Sequence, residues 1–228
     1  VVTGVQTCAL PISISPILWA HDPSIQDLQY NPERAKLLLQ KAGWIDQNGD
    51  GILEKDGRDF RFTLKTNTGN ERREQAATLI QDMLKQVGVV MDIRQEEFVT
   101  FLNNMVSKKF DAGLIGWSIW LKVDLAPNFH SESVLDKFNF TSYRNPTFDR
   151  LHDKAKMTMD REHAKELWRK VQDLLIEDQP YTWLYYVKDG HGLHERFQDV
   201  IMDRRGAWVN LDEWWVPAAQ RKYWMPEP

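Results

Sequence analysis

Asp46, Asn48 and Asp50, followed by Gly51, stand at the D-x-N-x-D-G spacing that opens an EF-hand loop, where closely spaced oxygens coordinate calcium. The twelfth position of such a loop supplies a bidentate glutamate. Here it is Gly57, and a strand rather than a helix is expected beyond it. A turn-rich hairpin is therefore the expectation, with calcium on Asp46, Asn48 and Asp50 as the alternative it displaces, and no metal is expected. His130, His152, His163, His191 and His194 show no H-E-x-x-H spacing and no cysteine pair accompanies them, so surface histidines are expected. Glu96-Glu97 and Asp212-Glu213 are adjacent in sequence, and adjacent side chains point different ways, so they read as solvated charge rather than as acid/base pairs. G-x-S-x-G, the P-loop and G-x-G-x-x-G are all missing. No catalytic residue and no cofactor are expected, and the chain does not read as an enzyme.

What remains is the aromatic stretch from Gly116 through Trp117, Ser118 and Trp120 to Asp124. A tryptophan can stack on a sugar or cover a side chain while its N–H donates a hydrogen bond. Trp117 and Trp120 could equally plug a core, and spacing alone leaves both readings open.

The elements that must position this stretch follow from turn chemistry and periodicity. Asn31-Pro32 starts a helix with Ala35, Leu38, Leu39 and Ala42 at helical spacing, ended by Gly43. The Asn-Gly and Asp-Gly pairs between Asp46 and Gly57 predict a hairpin. Phe60, Phe62 and Leu64 alternate with polar residues as in a half-buried strand. Ala76, Leu79, Ile80, Met83, Leu84 and Val87 share one helical face, residues 89–93 make a short strand, and Phe98, Phe101, Leu102, Met105 and Val106 mark another helix. Residues 110–117, FDAGLIGW, read as a central strand covered on both faces. This rhythm of strand and helix is that of an α/β sheet, and the aromatic stretch lies just past the carboxyl end of its last strand, where open α/β sheets gather ligands. Helices are expected from Asn145-Pro146 and from Asp160, the second with Leu167, Trp168, Val171 and Leu175 inward, and a strand at 182–187, TWLYYV. The Trp-bearing tail beyond Gly190 has no periodic core face of its own.

Composition bounds the rest. Twenty-nine basic against 33 acidic side chains, a net charge of −4 and 42% hydrophobic residues describe an ordinary globular balance and exclude nucleic-acid binding through bulk positive charge. No apolar run reaches the roughly 20 residues of a membrane-spanning helix. Residues 2–12, VTGVQTCALPI, translate in frame from a common sequencing-library adapter, so residues 1–12 are set aside. Cys8, the single cysteine, goes with them, and with it any thiol chemistry.

The order of motifs resembles the carboxy-terminal half of the extracellular solute-binding protein family 5, the peptide, dipeptide, nickel and oligosaccharide receptors of ABC importers. The residues carrying the resemblance are NPERAKLLLQKAGW, NGDGILEKDG, TLIQDMLKQVGVVMDI, FDAGLIGWS, SYRNPTFDRLHDKA and EDQPYTWLYY, spread over nearly all of residues 14–216. It implies a periplasmic-binding-protein type II-like α/β fold, mostly the second lobe of a two-lobe receptor, with a carboxy-terminal segment returning toward a first lobe that this chain lacks. The boundaries implied are 13–183 for the second-lobe domain and 184–228 for the hinge and return segment.

The function implied is non-covalent binding of a peptide or similar solute between two lobes and its delivery to an ABC permease. An oligosaccharide is the alternative within the family, and a fragment of a glycan-acting hydrolase the alternative of another class. The protein would be a monomer in the periplasm or on the outer face of the cell membrane, its signal peptide lost by truncation, with no nucleic-acid partner. Trp117 matches the family's cleft tryptophan. Three residues on, where peptide receptors often carry an aspartate for the peptide's amino group, stands Trp120, and Asp124 is the candidate to take over that charge. Ser118 joins these as a contact, and Asn67 does so because it follows the neighbouring strand. A single lobe is expected to bind no solute tightly.

Overall fold

The computed structural model describes residues 13–25, 28–118, 121–135, 137–187, 191–203, 205–206 and 208–222. They fall into two compact units, one within residues 28–118 and 124–153, the other made of the described residues among 13–25, 121–123 and 154–222.

The first unit begins with α1 (Pro32–Lys41), capped by Asn31, whose Oδ1 accepts the Arg34 N–H and whose neighbour Pro32 opens the helix. The turn-rich stretch then forms a hairpin of β1 (Glu54–Lys55) and β2 (Arg58–Asp59). The sheet follows, with β3 (Arg61–Asn67), α2 (Glu71–Lys85), β4 (Val90–Glu96), α3 (Phe98–Val106) and β5 (Ala112–Gly113) in succession. Its order is β4-β3-β5 and all pairing is parallel, with Arg61 to Asn67 matched residue by residue to Val90 to Glu96. Parallel neighbours require crossovers, and α2 and α3 supply them.

Both sheet faces are covered, as the apolar content of 110–117 predicts. Leu114 packs with Leu64, Ala77 and Met91 beneath α2, whereas Phe110 and Ile115 pack with Phe101, Met105 and Phe140 on the α3 side. The central position is a correction: β3 is central, and β5 is a two-residue strand pairing only Leu64↔Ala112 and Lys65↔Gly113. Burial on two faces makes a run apolar but says nothing of which strand has neighbours at both edges. The β5 backbone also lies close to α3, for a Cβ on Gly113 would stand 2.5 Å from the Met105 sulfur.

The same unit carries α4 (Ala126–Phe129) and the start of α5 (Pro146–Met157), whose first turn is held by Asn145 Oδ1 accepting the Thr147 and Phe148 N–H groups.

The second unit is built on α6 (Arg161–Asp178), capped by Asp160. Leu167, Trp168, Val171 and Leu175 are buried as expected, and Gln172 donates to the Ala20 carbonyl. Residues 182–187 are not a strand, because no ladder partner for them occurs among the described residues. Ile201, Trp208, Leu211 and Trp215 are exposed.

Candidate functional site

The chain runs from β3 to β4 on one side of it and then to β5 on the other. In such a sheet the order reverses between β3 and β5, and the crevice beyond their carboxyl ends is where ligands bind. Asn67 ends β3, and Gly116, Trp117 and Ser118 follow β5. The two chain segments are tied together by Thr66, whose buried hydroxyl donates to the Leu114 carbonyl at 3.0 Å.

Trp117 divides the two readings left open. Its ring stacks on Phe140, with centroids 5.5 Å apart and planes at 25°, and tilts against Phe138 at 5.4 Å. Phe140 belongs to the core with Phe101 and Met105. Yet 41% of Trp117 stays exposed, so core residues fix the ring while part of it faces outward, the condition for a stacking platform. Ser118 is exposed beside it. Trp120 lies outside the described residues.

Asn67 is 9% exposed and has a supporting position. Its Oδ1 accepts a hydrogen bond from Arg73 Nη1, and its Nδ2 donates to the Thr68 carbonyl at 3.0 Å. Arg73 sits in the first turn of α2, its backbone N–H received by Asn70 Oδ1, and its Nη2 lies 3.1 Å from where a Cβ on Gly116 would be. The guanidinium therefore spans from the end of β3 to the backbone just before Trp117. Sequence reasoning missed Arg73. The available signal was a cation in the first turn of a helix, where the helix dipole favours acidic residues, together with a glycine ahead of the candidate tryptophan.

Asp124 turns inward. Its Oδ1 lies 3.3 Å from His152 Nε2 and accepts the Ala126 N–H at 3.2 Å. The expectation of surface histidines is corrected here, because His152 is fully buried and His130 nearly so. Ring nitrogens can be buried when they are paired, and Asp124, Asp149, Asp153 and the Leu125 N–H provide the pairing.

Glu96 and Glu97 are likewise not a solvated pair. Glu97 caps α3 by accepting the Val99 and Thr100 N–H groups. Glu96 is buried at the end of β4. The Asn104 amide donating to it at 2.7 Å, and the nearby Lys65 and Arg94, hold its carboxyl below the usual carboxylate range. In the hairpin, Asp46, Asp50 and Glu54 bring carboxylate oxygens within 4.8 Å of one another, Glu54 being a member that the EF-hand spacing does not flag. Each carboxylate accepts backbone N–H groups of the turn: Asp46 those of Gly49 and Gly51, Asp50 that of Ile52, and Glu54 that of Gln47.

Residues 1–132 match the family model of bacterial extracellular solute-binding proteins, family 5 Middle. The chain belongs to that family. Among curated relatives, the oligopeptide-binding protein AppA of Bacillus subtilis is 35% identical over 206 residues, covering 89% of this chain and 38% of the relative. The solved structure of AppA from Bacillus subtilis in complex with a nonapeptide superposes with a TM-score of 0.80 over 90% of this chain and 42% of that one. A mannohexaose-bound oligopeptide ABC transporter protein from Thermotoga maritima shares the fold, with a TM-score of 0.71 at 24% identity over 79% of this chain and 36% of that one. The chain thus spans about two fifths of the length of these family 5 proteins. The relatives are binding proteins, the family is extracellular, and no described helix is long and apolar enough to cross a membrane.

Proposed function

We propose that this chain is the carboxy-terminal portion of a family 5 receptor that binds a peptide non-covalently between two lobes and delivers it to an ABC permease on the outer face of the cell membrane or in the periplasm. The observation that carries the reading is Trp117, seated on Phe140 at the reversal point of the sheet and 41% exposed, in a chain 35% identical to an oligopeptide-binding protein. Trp117 and Ser118 are the contacts assigned to the peptide, with Trp120 on the same stretch. Asn67 holds Arg73 beside them. Asp124, engaged with His152, shapes the end of the stretch and is not assigned the peptide's amino group.

Residues 13–183 are read as second-lobe material and 184–228 as hinge and return segment. The exposed Trp208, Leu211 and Trp215 support this reading, since large apolar side chains left in water are unfavourable unless another surface covers them. The complete receptor is read as a monomer.

The test is calorimetry with nonapeptides on the receptor completed by its upstream gene sequence. Binding is expected for the complete protein, and Trp117→Ala is expected to weaken it about tenfold or more while leaving the melting temperature nearly unchanged. The isolated chain is expected to bind at least ~100-fold more weakly, since one lobe cannot pre-organise the other half of the site. Submicromolar binding by the isolated chain refutes the two-lobe reading, and unchanged affinity in the Trp117 variant refutes the site.

A further inference from the structure

We infer that a cavity of about 240 Å³ in the second unit is a binding site for a small organic carboxylate with an apolar body. Among the described residues it is lined by Ile17, Leu18, Trp19 and Leu121 on its apolar side and by Arg161 and Arg205 on its charged side, all six in that one unit. No part of it depends on the peptide contact assigned to Trp117.

The apolar wall is held by α6. Ala20 is buried and its carbonyl accepts the Gln172 amide at 3.2 Å, so the segment carrying Ile17 to Trp19 is tied to the inner face of the helix. A turn fixes it further, with the Leu18 N–H donated to the Ser15 carbonyl at 2.9 Å and the His21 N–H to the Leu18 carbonyl at 3.2 Å. Arg161 begins the same helix, and its guanidinium carbon stands 5.0 Å from the centroid of the Trp19 ring. One element therefore positions both the wall and the cation.

The two guanidinium groups differ. Arg205 directs Nε and Nη2 at the Asp203 carboxylate, with contacts of 2.6 to 3.1 Å, which balance its charge. Arg161 has the Trp19 ring face, but among the described residues no oxygen accepts its N–H groups and no carboxylate pairs with it. Asp160, its neighbour in sequence, caps α6 through the His163 N–H instead. A cation–π contact attracts the charge without supplying an acceptor. An ordinary surface arginine is satisfied by water. This one shares a partly apolar cavity with a second guanidinium, where like charges repel and the walls limit hydration. A carboxylate there relieves the repulsion and takes two parallel hydrogen bonds from the planar fork of Arg161.

The walls decide between anions. Phosphate and sulfate carry no apolar surface for Trp19 or Leu121 to cover, whereas the body of an organic acid is removed from water by them. The volume lies below the roughly 300–1,000 Å³ of sites for drug-sized ligands, which limits the occupant to about one amino-acid-sized group.

The probe is N-acetyl-leucine, an anion at neutral pH, with N-acetyl-leucinamide as its neutral isostere. Each is titrated into the 228-residue chain and followed by NMR at the Trp19 indole N–H and the Arg161 Nε–H. Saturable shifts at both are expected, with a dissociation constant on the order of 1–10 mM for a ligand of about a dozen heavy atoms. The amide is expected to bind at least ~5-fold more weakly. Arg161→Gln, a change at an exposed residue, is expected to abolish the preference for the acid. If that variant fails to fold, Leu121→Glu serves. Leu121 is 45% exposed, and a glutamate there places the chain's own carboxylate in the cavity and is expected to exclude the probe. The absence of a saturable shift at Trp19, equal affinity for acid and amide, or unchanged binding of the acid in either variant overturns the inference. So does inorganic phosphate binding as tightly as N-acetyl-leucine, since the apolar wall would then contribute nothing. Peptide affinity at Trp117 is not read, so a failed peptide-binding experiment leaves this result standing, and the reverse also holds.

Discussion

Gly116→Ala isolates the link between α2 and the candidate tryptophan. A Cβ at this position would stand 3.1 Å from Arg73 Nη2, tighter than an ordinary contact, so the guanidinium must retreat by a few tenths of an ångström or more. Arg73 is also hydrogen-bonded to Asn67 Oδ1, an atom of a side chain that is 9% exposed. Retreat therefore weakens a charge-assisted bond, worth ~1.5–3 kcal/mol when intact, and leaves a largely buried acceptor less well satisfied. Arg73 is only half-buried, and water can replace part of what is lost, which brings the expected cost to about 1–2 kcal/mol. For a chain of this size that is a fall in melting temperature of roughly 2–8 °C.

The assay is a double-mutant cycle with Arg73→Ala, read by urea denaturation. If the cost of Gly116→Ala arises through Arg73, it should shrink to within ~0.5 kcal/mol of zero once Arg73 is replaced by alanine, because the methyl group then enters vacated space. Additivity of the two substitutions would refute the argument, since it would place the strain of the added methyl group in the local backbone instead.

Three further outcomes follow from the packing and the charges. Trp168 is 1% exposed on the inner face of α6, and Trp168→Ala is expected to cost about 3–5 kcal/mol by urea denaturation; a loss under ~1 kcal/mol would mean that α6 presents a different face. The Glu96 carboxyl is depressed in the folded chain, first by the Asn104 hydrogen bond and then by Lys65 and Arg94, so its contribution is present above the unfolded value near pH ~4.3 and is lost as pH falls through the lower folded value. Denaturation at pH 7 and pH 3 should therefore show a smaller acid loss in Glu96→Gln than in the wild type, and an identical loss would refute the assignment. Asp46→Ala removes the acceptor for two turn N–H groups, at 2.7 and 2.9 Å, and should lower the melting temperature by about 2–4 °C in the presence of a chelator.

The elements were legible where local chemistry decides them. Asn31 and Asp160 cap helices that begin at the next residue, and the inward face of α6 was readable from Leu167, Trp168, Val171 and Leu175. Local chemistry cannot say which strand is central or whether an extended segment has a partner. The apolar run 110–117 thus read as a central strand although β3 holds that place, and TWLYYV read as a strand although no described ladder includes it. Both errors concern edges, which are properties of pairing rather than of sequence composition.

The site follows the same division. Trp117 could be singled out because a strand end is a local feature, but its seating on Phe138 and Phe140 required residues more than twenty positions downstream. Arg73 escaped notice, and His130 and His152 were expected on the surface, for a related reason: each draws its meaning from a partner on another element, Asn67 and Gly116 for the arginine, Asp124 and Asp149 for the histidines. Glu96 shows how strongly such partners can alter a reading. One of two adjacent glutamates is buried among Lys65, Arg94 and Asn104 while its neighbour caps a helix. Charges beside a strand's carboxyl end are therefore poor candidates for solvated surface until their cross-strand neighbours are known.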